Sequence, residues 1–244
     1  MNEETFRFQV DRITHESPRV KTFRLRPGQA GMPFRFSPGQ HMGVRPSDPA
    51  DTEGGSDQRW RHFSLSSSPS DHDFLEITVL RQGTVSDRIH SLSEGDWVEV
   101  TRPVGEFVLD DAVGYGPVFF GGGIGIAPIR SMVRYCLDQG LGEALTLFAS
   151  FSTPEEALFE DELKKWGDQT PGVSVWVTCT GVQARQDDRS GPSHPWDRAY
   201  LEERIERPLE RVYYLCAPRG LMDTVESHLA SMGVPEERVQ RERW

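Results

Sequence analysis

Over residues 1–110 apolar and polar positions alternate in short runs, the period of two that marks β-strands with one buried face. The alternation predicts strands at Phe6 to Ile13, Val20 to Leu25, Gly39 to Val44, Phe63 to Ser66, Leu75 to Leu80 and Trp97 to Thr101. Turn residues punctuate them, and short strands spaced in this way predict an antiparallel barrel. Arg45 to Gln58 (RPSDPADTEGGSDQ) is polar, acidic and rich in glycine and proline, which predicts a surface loop. Ser86 to Leu92 is the one short helix expected in this half.

From Val118 onward the pattern changes to strands alternating with helical stretches, the sign of a parallel sheet. Strands are expected at Val118 to Phe120, Leu145 to Ser150, Val173 to Cys179 and Arg211 to Cys216, with a last one ending at Trp244. The intervening helices are expected at Ile129 to Leu137, Pro154 to Trp166, Ala199 to Glu206 and Leu221 to Met232. In the second of these, Leu158, Phe159, Leu163 and Trp166 share one face and Glu155, Glu156, Lys164 and Lys165 face solvent. The fold class that follows has two domains: an N-terminal antiparallel β-barrel over residues 1–110, then an α/β domain with a parallel sheet over residues 111–244. Asp110 to Gly116 would be a short linker, and a loop over 181–198 would precede the third helix.

With 244 residues the chain has room for both domains and their cores. No apolar run approaches the ~20 residues needed to span a bilayer, and Met1-Asn2-Glu3-Glu4 is acidic with no apolar signal region. The expectation is a cytoplasmic protein with no membrane partner. Three cysteines, Cys136, Cys179 and Cys216, are far apart and odd in number, which argues against a disulfide framework, a zinc site or an iron–sulfur cluster. The net charge is −11 with both halves acidic, so a nucleic-acid partner is not expected. Only Lys21, Lys164 and Lys165 are lysines; an acidic, lysine-poor surface suits a salt-rich cytoplasm, and codon usage favouring arginine explains it equally well.

Candidate chemistry begins with Gly121-Gly122-Gly123-Ile124-Gly125-Ile126-Ala127-Pro128, a glycine turn between an expected strand and an expected helix. Glycines allow a backbone to approach a phosphate, and the first helix amides carry partial positive charge toward it. A plain strand-to-helix turn accounts for the same residues. The run is not the G-x-G-x-x-G fingerprint, since position 126 is isoleucine. Two further segments narrow the reading: Arg61-His62-Phe63-Ser64 upstream, and Cys216-Ala217-Pro218-Arg219-Gly220-Leu221-Met222 near the end.

Together the three segments resemble the R-x-Y-S, G-G-x-G-I-x-P and C-G-P-x-x-M signatures of the ferredoxin–NADP reductase family. Phe36-Ser37-Pro38-Gly39-Gln40 is similar to that family's F-x-P-G-Q strand entry, and Gly83-Thr84-Val85-Ser86 to its G-x-x-S turn. The order matches and the resemblance covers essentially the whole chain. It implies an FAD-dependent NAD(P)H oxidoreductase, with FAD on the barrel and the nicotinamide dinucleotide on the α/β domain.

By this resemblance Arg61 contacts the FAD pyrophosphate, Phe63 stacks beside the ring system and Ser64 hydrogen-bonds near N5. In an extended strand Arg61 and Phe63 share one face, and His62 and Ser64 the other. Phe63 is otherwise an ordinary barrel residue. Phenylalanine in place of the family's tyrosine keeps the stacking surface and loses a hydroxyl, worth about 0.5–1.5 kcal/mol of FAD retention. His62 either touches the cofactor or stays solvated. Thr78, Val79 and Leu80, at the end of their strand, belong to the implied cofactor-binding set. So do Gly83, Val85 and Ser86, whose helix N-terminus would meet the pyrophosphate; Ser86 serves equally as a helix cap.

Gly121, Gly122, Gly123, Ile124, Gly125 and Pro128 would hold the nicotinamide dinucleotide, with Pro128 in a first helical turn that needs no donor from it. Ser150 joins this set. The resemblance places Cys216 beside the nicotinamide C4, where hydride leaves; the alternative is a small buried apolar residue. Ala217 stands where the family has glycine and would crowd the loop. Met222 is a candidate contact that also fits the packing of the following helix. Trp244 would lie against the flavin face and gate hydride transfer, or be a frayed terminus.

A 2′-phosphate needs arginine after the second or third strand of this domain. Ser150-Phe151-Ser152 and Thr180-Gly181-Val182 carry none, and Arg185 and Arg189 fall in an uncertain loop, so NADH is favoured over NADPH. The implied acceptor is a separate protein, a ferredoxin or another iron–sulfur or haem partner. It would dock on a basic face of Arg19, Lys21, Arg24, Arg26 and Arg35, which charge reversal at Arg24 and Arg26 would weaken. A free flavin or ferric reductase, or a flavin-binding electron-transfer subunit, are the alternative functions.

Overall fold

The computed structural model describes residues 4–47, 60–109, 115–141, 144–181 and 196–242. The chain divides into two compact units, residues 1–109 with 130–135, and residues 110–129 with 136–244. The first contains β1 (Thr5–Ser17), β2 (Val20–Pro27), β3 (His41–Pro46), β4 (Arg61–Ser64), β5 (Leu75–Leu80), α1 (Thr84–His90) and β6 (Trp97–Thr101). These six strands form an antiparallel sheet in the order β4-β3-β6-β1-β2-β5. A bridge between Leu65 and Ile77 joins the two outer strands, so the sheet curls into the expected barrel.

Alternation sends Phe8, Val10, Phe23, Leu25, Met42, Val44, Ile77, Val79, Val98 and Val100 inward, and Ile89 of α1 joins the same core. β1 runs four residues past its expected end and pairs with both β6 and β2. Its register slips at Asp11, between Val10 and Arg12, a bulge that bends the strand and lets Asp11 pair with Arg26. The strand expected from Phe63 to Ser66 lies instead at Arg61–Ser64, so the whole R-H-F-S motif is strand.

The second unit contains β7 (Pro117–Gly122), α2 (Ile126–Asp138), β8 (Leu145–Phe151), α3 (Glu160–Gln169), β9 (Val173–Cys179), α4 (Arg198–Arg204), β10 (Val212–Cys216), α5 (Arg219–Ser231) and β11 (Val239–Arg241). All five strands are parallel, in the order β11-β10-β7-β8-β9. Parallel strands buried on both faces read as apolar runs, and every residue of β7 and β8 is buried. Tyr200, Leu201 and Ile205 around α4, with Met222, Val225 and Leu229 of α5, pack on Val118, Phe120, Phe148, Tyr213 and Leu215. The middle of α2, Arg130 to Tyr135, groups with the first unit.

The helix expected from Pro154 to Trp166 begins only at Glu160. Pro154–Glu156 is a single 3₁₀ turn, Ala157 is extended, and Phe159 takes a left-handed conformation that starts the helix anew. Glu160, Asp161 and Glu162 then fill the first turn, where the helix dipole favours negative charge. Leu158, Phe159, Leu163 and Trp166 are all buried as expected, but two of the four reach the core from a turn. The last strand among the described residues is Val239–Arg241, and the expected end at Trp244 lies outside them.

Candidate functional site

In the second unit the chain passes from β7 to β8 and β9 on one side, then returns to β10 and β11 on the other. The order reverses between β7 and β10, and ligands of open parallel sheets bind beyond the strand ends at such a point. There the sequence places the glycine turn after β7 and Cys216-Ala217-Pro218 after β10, with Gly121 and Cys216 paired in register. α5 starts directly after Pro218, and a 3₁₀ turn at Gly123–Gly125 feeds α2, so two helix N-termini open at adjacent strands.

The glycines of this turn serve different ends. A Cβ on Gly121 would lie 2.5 Å from the Ile126 side chain, and one on Gly122 would lie 2.7 Å from the Ala217 Cβ. A Cβ on Gly125 would fall onto the backbone carbonyl of Cys216. Three of the four are therefore required by packing inside the unit. Gly123 differs: its φ is +52° and a Cβ there would meet nothing within 4 Å. That open, left-handed position at the mouth of a helix is a cradle fit for a phosphate.

Of the other residues expected here, Ser150 ends up beside Gly122 in the sheet and is buried. Ile124 is half-buried, and Pro128 is the third residue of α2, where no hydrogen-bond donor is needed. Cys216 is only 1 % exposed, and Met222 belongs to the apolar core. The loops after β8 and β9 meet through a hydrogen bond from the Gly181 N–H to the Ser152 carbonyl (2.7 Å). Val182, Arg185, Arg189 and Trp244 lie outside the described residues.

In the first unit Arg61 and His62 are exposed, Ser64 is half-buried, and Phe63 is 8 % exposed within the barrel core. Phe63 is thus chiefly barrel packing, with little of its ring uncovered. Thr78 is also committed: its hydroxyl donates to Ser66 Oγ (2.9 Å) and shares a hydrogen bond with Thr22 (3.0 Å). Val79 lies in the core and Leu80 is half-buried at the strand end. The Ser86 hydroxyl accepts from the Gln82 N–H (2.7 Å) and donates to the Gly83 carbonyl (2.8 Å), and so shapes the turn that starts α1. Gly83, at φ +88°, caps α1 with no atom within 4 Å of a would-be Cβ, and the exposed Thr84 and half-buried Val85 follow it. Arg61, Ser64 and the open Gly83 turn supply the cation, hydrogen bond and amides that a flavin dinucleotide needs, so these residues fit it.

A residue missed in the sequence stands beside them. His41 of β3 is the register partner of Ser64, and its ring meets that of His62 edge-on at 5.3 Å. Burial, then the charge of His62, hold the His41 imidazole below its ordinary range. The F-x-P-G-Q entry directly before His41 was the available signal, but only the β3–β4 register shows which neighbour it faces.

The proposed basic docking face is not one surface. β2 pairs regularly with β5, so Lys21 shares a face with Phe23 and Leu25, and Arg24 and Arg26 lie on the other. Lys21 donates to the His90 carbonyl (2.8 Å), Arg19 to the Arg81 carbonyl (3.3 Å), and Arg26 pairs with Asp11 (2.9 Å). Arg24 pairs with the buried Glu76 (2.9 Å), so reversing its charge would bury two carboxylates together. Arg35 alone of the five is exposed with none of these ties. No helix among the described residues is long and apolar enough to cross a membrane.

Residues 7–109 match the family model described as an oxidoreductase FAD-binding domain, and residues 119–227 the one described as an oxidoreductase NAD-binding domain. The chain is 30 % identical over 245 residues to a flavohemoprotein of Bordetella pertussis, covering 96 % of this chain and 59 % of that protein. It is 29 % identical over 232 residues to a glycine betaine monooxygenase reductase subunit of Chromohalobacter salexigens, covering 91 % and 59 %. The chain thus spans about three-fifths of the length of these relatives. Among solved structures, the FAD/NAD-binding domain of a nitric oxide dioxygenase from Vibrio cholerae superposes with a TM-score of 0.84, at 25 % identity and 98 % coverage of both chains.

Proposed function

We infer the function of this chain from its family: it belongs to the ferredoxin–NADP reductase family of oxidoreductases, with a FAD-binding domain followed by a NAD-binding domain. The proposed activity is oxidation of NAD(P)H with delivery of electrons to a separate redox protein, an iron–sulfur or haem protein. The observation that carries it is the convergence, at the switch point of the parallel sheet, of the open Gly123 turn, the Cys216 strand end and two helix N-termini. Relatives that are a flavohemoprotein and a monooxygenase reductase subunit support an acceptor of this kind. Held by Arg61 and the amides after Gly83, bound FAD would supply the hydride-accepting and one-electron-releasing chemistry.

The chain's residues bind and orient. Gly123 and the amides of the following turn hold the pyrophosphate of the nicotinamide dinucleotide, with Ser150 and Cys216 bordering it. Arg61 and the amides after Gly83 hold the FAD pyrophosphate, and Ser64 offers its hydroxyl at N5. Trp244 is proposed to cover the flavin until the nicotinamide arrives. A cytoplasmic location and the division at residues 110 and 111 complete the proposal.

Anaerobic stopped-flow mixing of the FAD-loaded protein with each nucleotide tests this. The flavin band is expected to bleach rapidly with NADH and more slowly with NADPH, because the segments after β8 and β9 lack arginine among their described residues. Equal kcat/KM for the two nucleotides would remove the coenzyme preference. A yellow protein that neither nucleotide bleaches would favour a flavin-binding electron-transfer subunit instead.

A further inference from the structure

Where the strands of the parallel sheet begin, at the opposite edge from the glycine turn, a buried arginine has no counter-ion. Arg211 directly precedes β10 and is 2 % exposed. Alternation along β10 puts it on the face of Tyr213 and Leu215, which α4 and α5 cover. Its Nη2 reaches across the start of β7 and donates to the Thr146 hydroxyl of β8 (2.7 Å). Its Nε and Nη1 are enclosed and meet no acceptor. Thr146 is 4 % exposed, and its own O–H finds no acceptor among the described residues.

The acids nearby are engaged elsewhere. Glu206 and Glu210, in the turn between α4 and β10, are exposed. Glu206 accepts from the Tyr115 hydroxyl (3.4 Å), and Glu210 pairs with Arg207 (3.5 Å). Glu206 acts on the Arg211 charge without bonding to it, and Arg211 has no ion pair among the described residues. Cations crowd the same place. The half-buried Tyr115 ring lies against the guanidinium of Arg211 (5.2 Å) and that of the exposed Arg207 (4.5 Å). Arg238 donates to the Arg211 carbonyl (3.4 Å). A guanidinium keeps its proton at neutral pH, so deprotonation does not relieve the buried charge. Water satisfies N–H groups but leaves that charge in place; an anion answers both. Donors alone line the spot, and one of them is a cation, which selects oxygens carrying negative charge.

We propose that Arg211 and Thr146 form an anion site at the strand-start edge of the parallel sheet, for a small oxyanion of the phosphate class. The ion enters past Tyr115, whose hydroxyl is held among the described residues by the 3.4 Å contact to Glu206 alone. Once bound it ties the start of β10 to β8 across β7 and stabilises the second unit. The site shares no residue with the nucleotide site proposed above and does not depend on that reading.

Inorganic phosphate is the probe, titrated into the full chain at constant ionic strength set with sodium chloride. Wild type, Arg211→Met and Thr146→Val are compared by calorimetry, with and without excess NADH, since NADH would displace phosphate held by the glycine turn. Phosphate at about ten times its dissociation constant should raise the wild-type transition of the second unit by about 3–6 °C, with or without NADH. Arg211→Met should show only the general salt effect that phosphate has on any protein. In chloride alone it should melt at or above wild type, because an unpaired buried charge has been replaced by an apolar chain. Thr146→Val keeps the charge and loses one donor, so it should bind phosphate roughly 2–10-fold more weakly. Equal phosphate responses in wild type and Arg211→Met, or a wild-type response that NADH abolishes, would overturn the site. Should Arg211→Met not fold, Thr146→Val decides, and an undiminished phosphate affinity in it overturns the proposal.

Discussion

Gly125→Ala is expected to lower the thermal transition of the second unit by roughly 6–12 °C, whereas Gly123→Ala should cost less stability, roughly 2–8 °C, and weaken ligand binding more. A methyl group at Gly125 has nowhere to go: it meets the Cys216 carbonyl, and Cys216 is pinned in the ladder opposite Gly121. Overpacking against backbone lies at the upper end of the usual 1–3 kcal/mol, and each kcal/mol is worth about 2–4 °C in a chain of this size. At Gly123 the space is open and the penalty is that of a left-handed alanine, about 1–2 kcal/mol. Its methyl, however, projects where a phosphate would approach. Calorimetry with titration of NADH separates the two roles. Gly125→Ala melting within a degree of wild type, or Gly123→Ala binding NADH undiminished, would mean the roles assigned to the two glycines are wrong.

The same turn shows how far the sequence could be read. Its glycines announced a strand, a turn and a helix, and the turn falls at the switch point of a parallel sheet. What could not be read was the division of labour among them. Gly122 meets Ala217 and Gly125 meets Cys216, residues about ninety positions downstream that only the β7–β10 pairing brings near. Alternation likewise exposed the barrel, because a period of two is local information. The restart of α3 was hidden because Leu158 and Phe159 fit a helical face while Phe159 takes a left-handed conformation. His41 was missed for a related reason: its neighbours Ser64 and His62 lie on another strand, and register is not written in either strand alone. Phe63 drew attention for its motif and proves to sit mainly in the core.

Glu76 was read only as one position in the strand LEITVL, and it anchors the second large expectation: Glu76→Gln should destabilise the first unit by about 3–5 kcal/mol. Its outward direction on β5 suggests a solvated residue, yet it is 5 % exposed. Arg24 reaches it across the β2–β5 pair (2.9 Å), and Arg130 and Arg134 reach it from α2 (2.8 and 3.5 Å). Arg130 also donates to the Ser66 carbonyl (2.8 Å), and Ser131 to the Ser67 carbonyl (2.6 Å). Glutamine keeps the shape of the side chain but removes the carboxylate facing Arg24 and Arg130, while Arg134 keeps its pair with Asp71 (3.0 Å), and the cost is that of a largely buried charge cluster deprived of its central counter-ion. Burial by itself pushes the Glu76 carboxyl upward; the Arg130 charge and hydrogen bond, with Arg24 and Arg134, outweigh it and hold the carboxyl below the usual glutamate range. A carboxylate depressed in the folded state stabilises fully above its unfolded pKa and loses that contribution as pH falls through the folded value. The stability gap between wild type and Glu76→Gln should therefore be widest near neutrality and close progressively in acid, below the ordinary carboxylate range. Urea unfolding at a series of pH values measures it, and a gap that is absent at pH 7, or unchanged in acid, would show that the cluster does not hold the first unit together through charge.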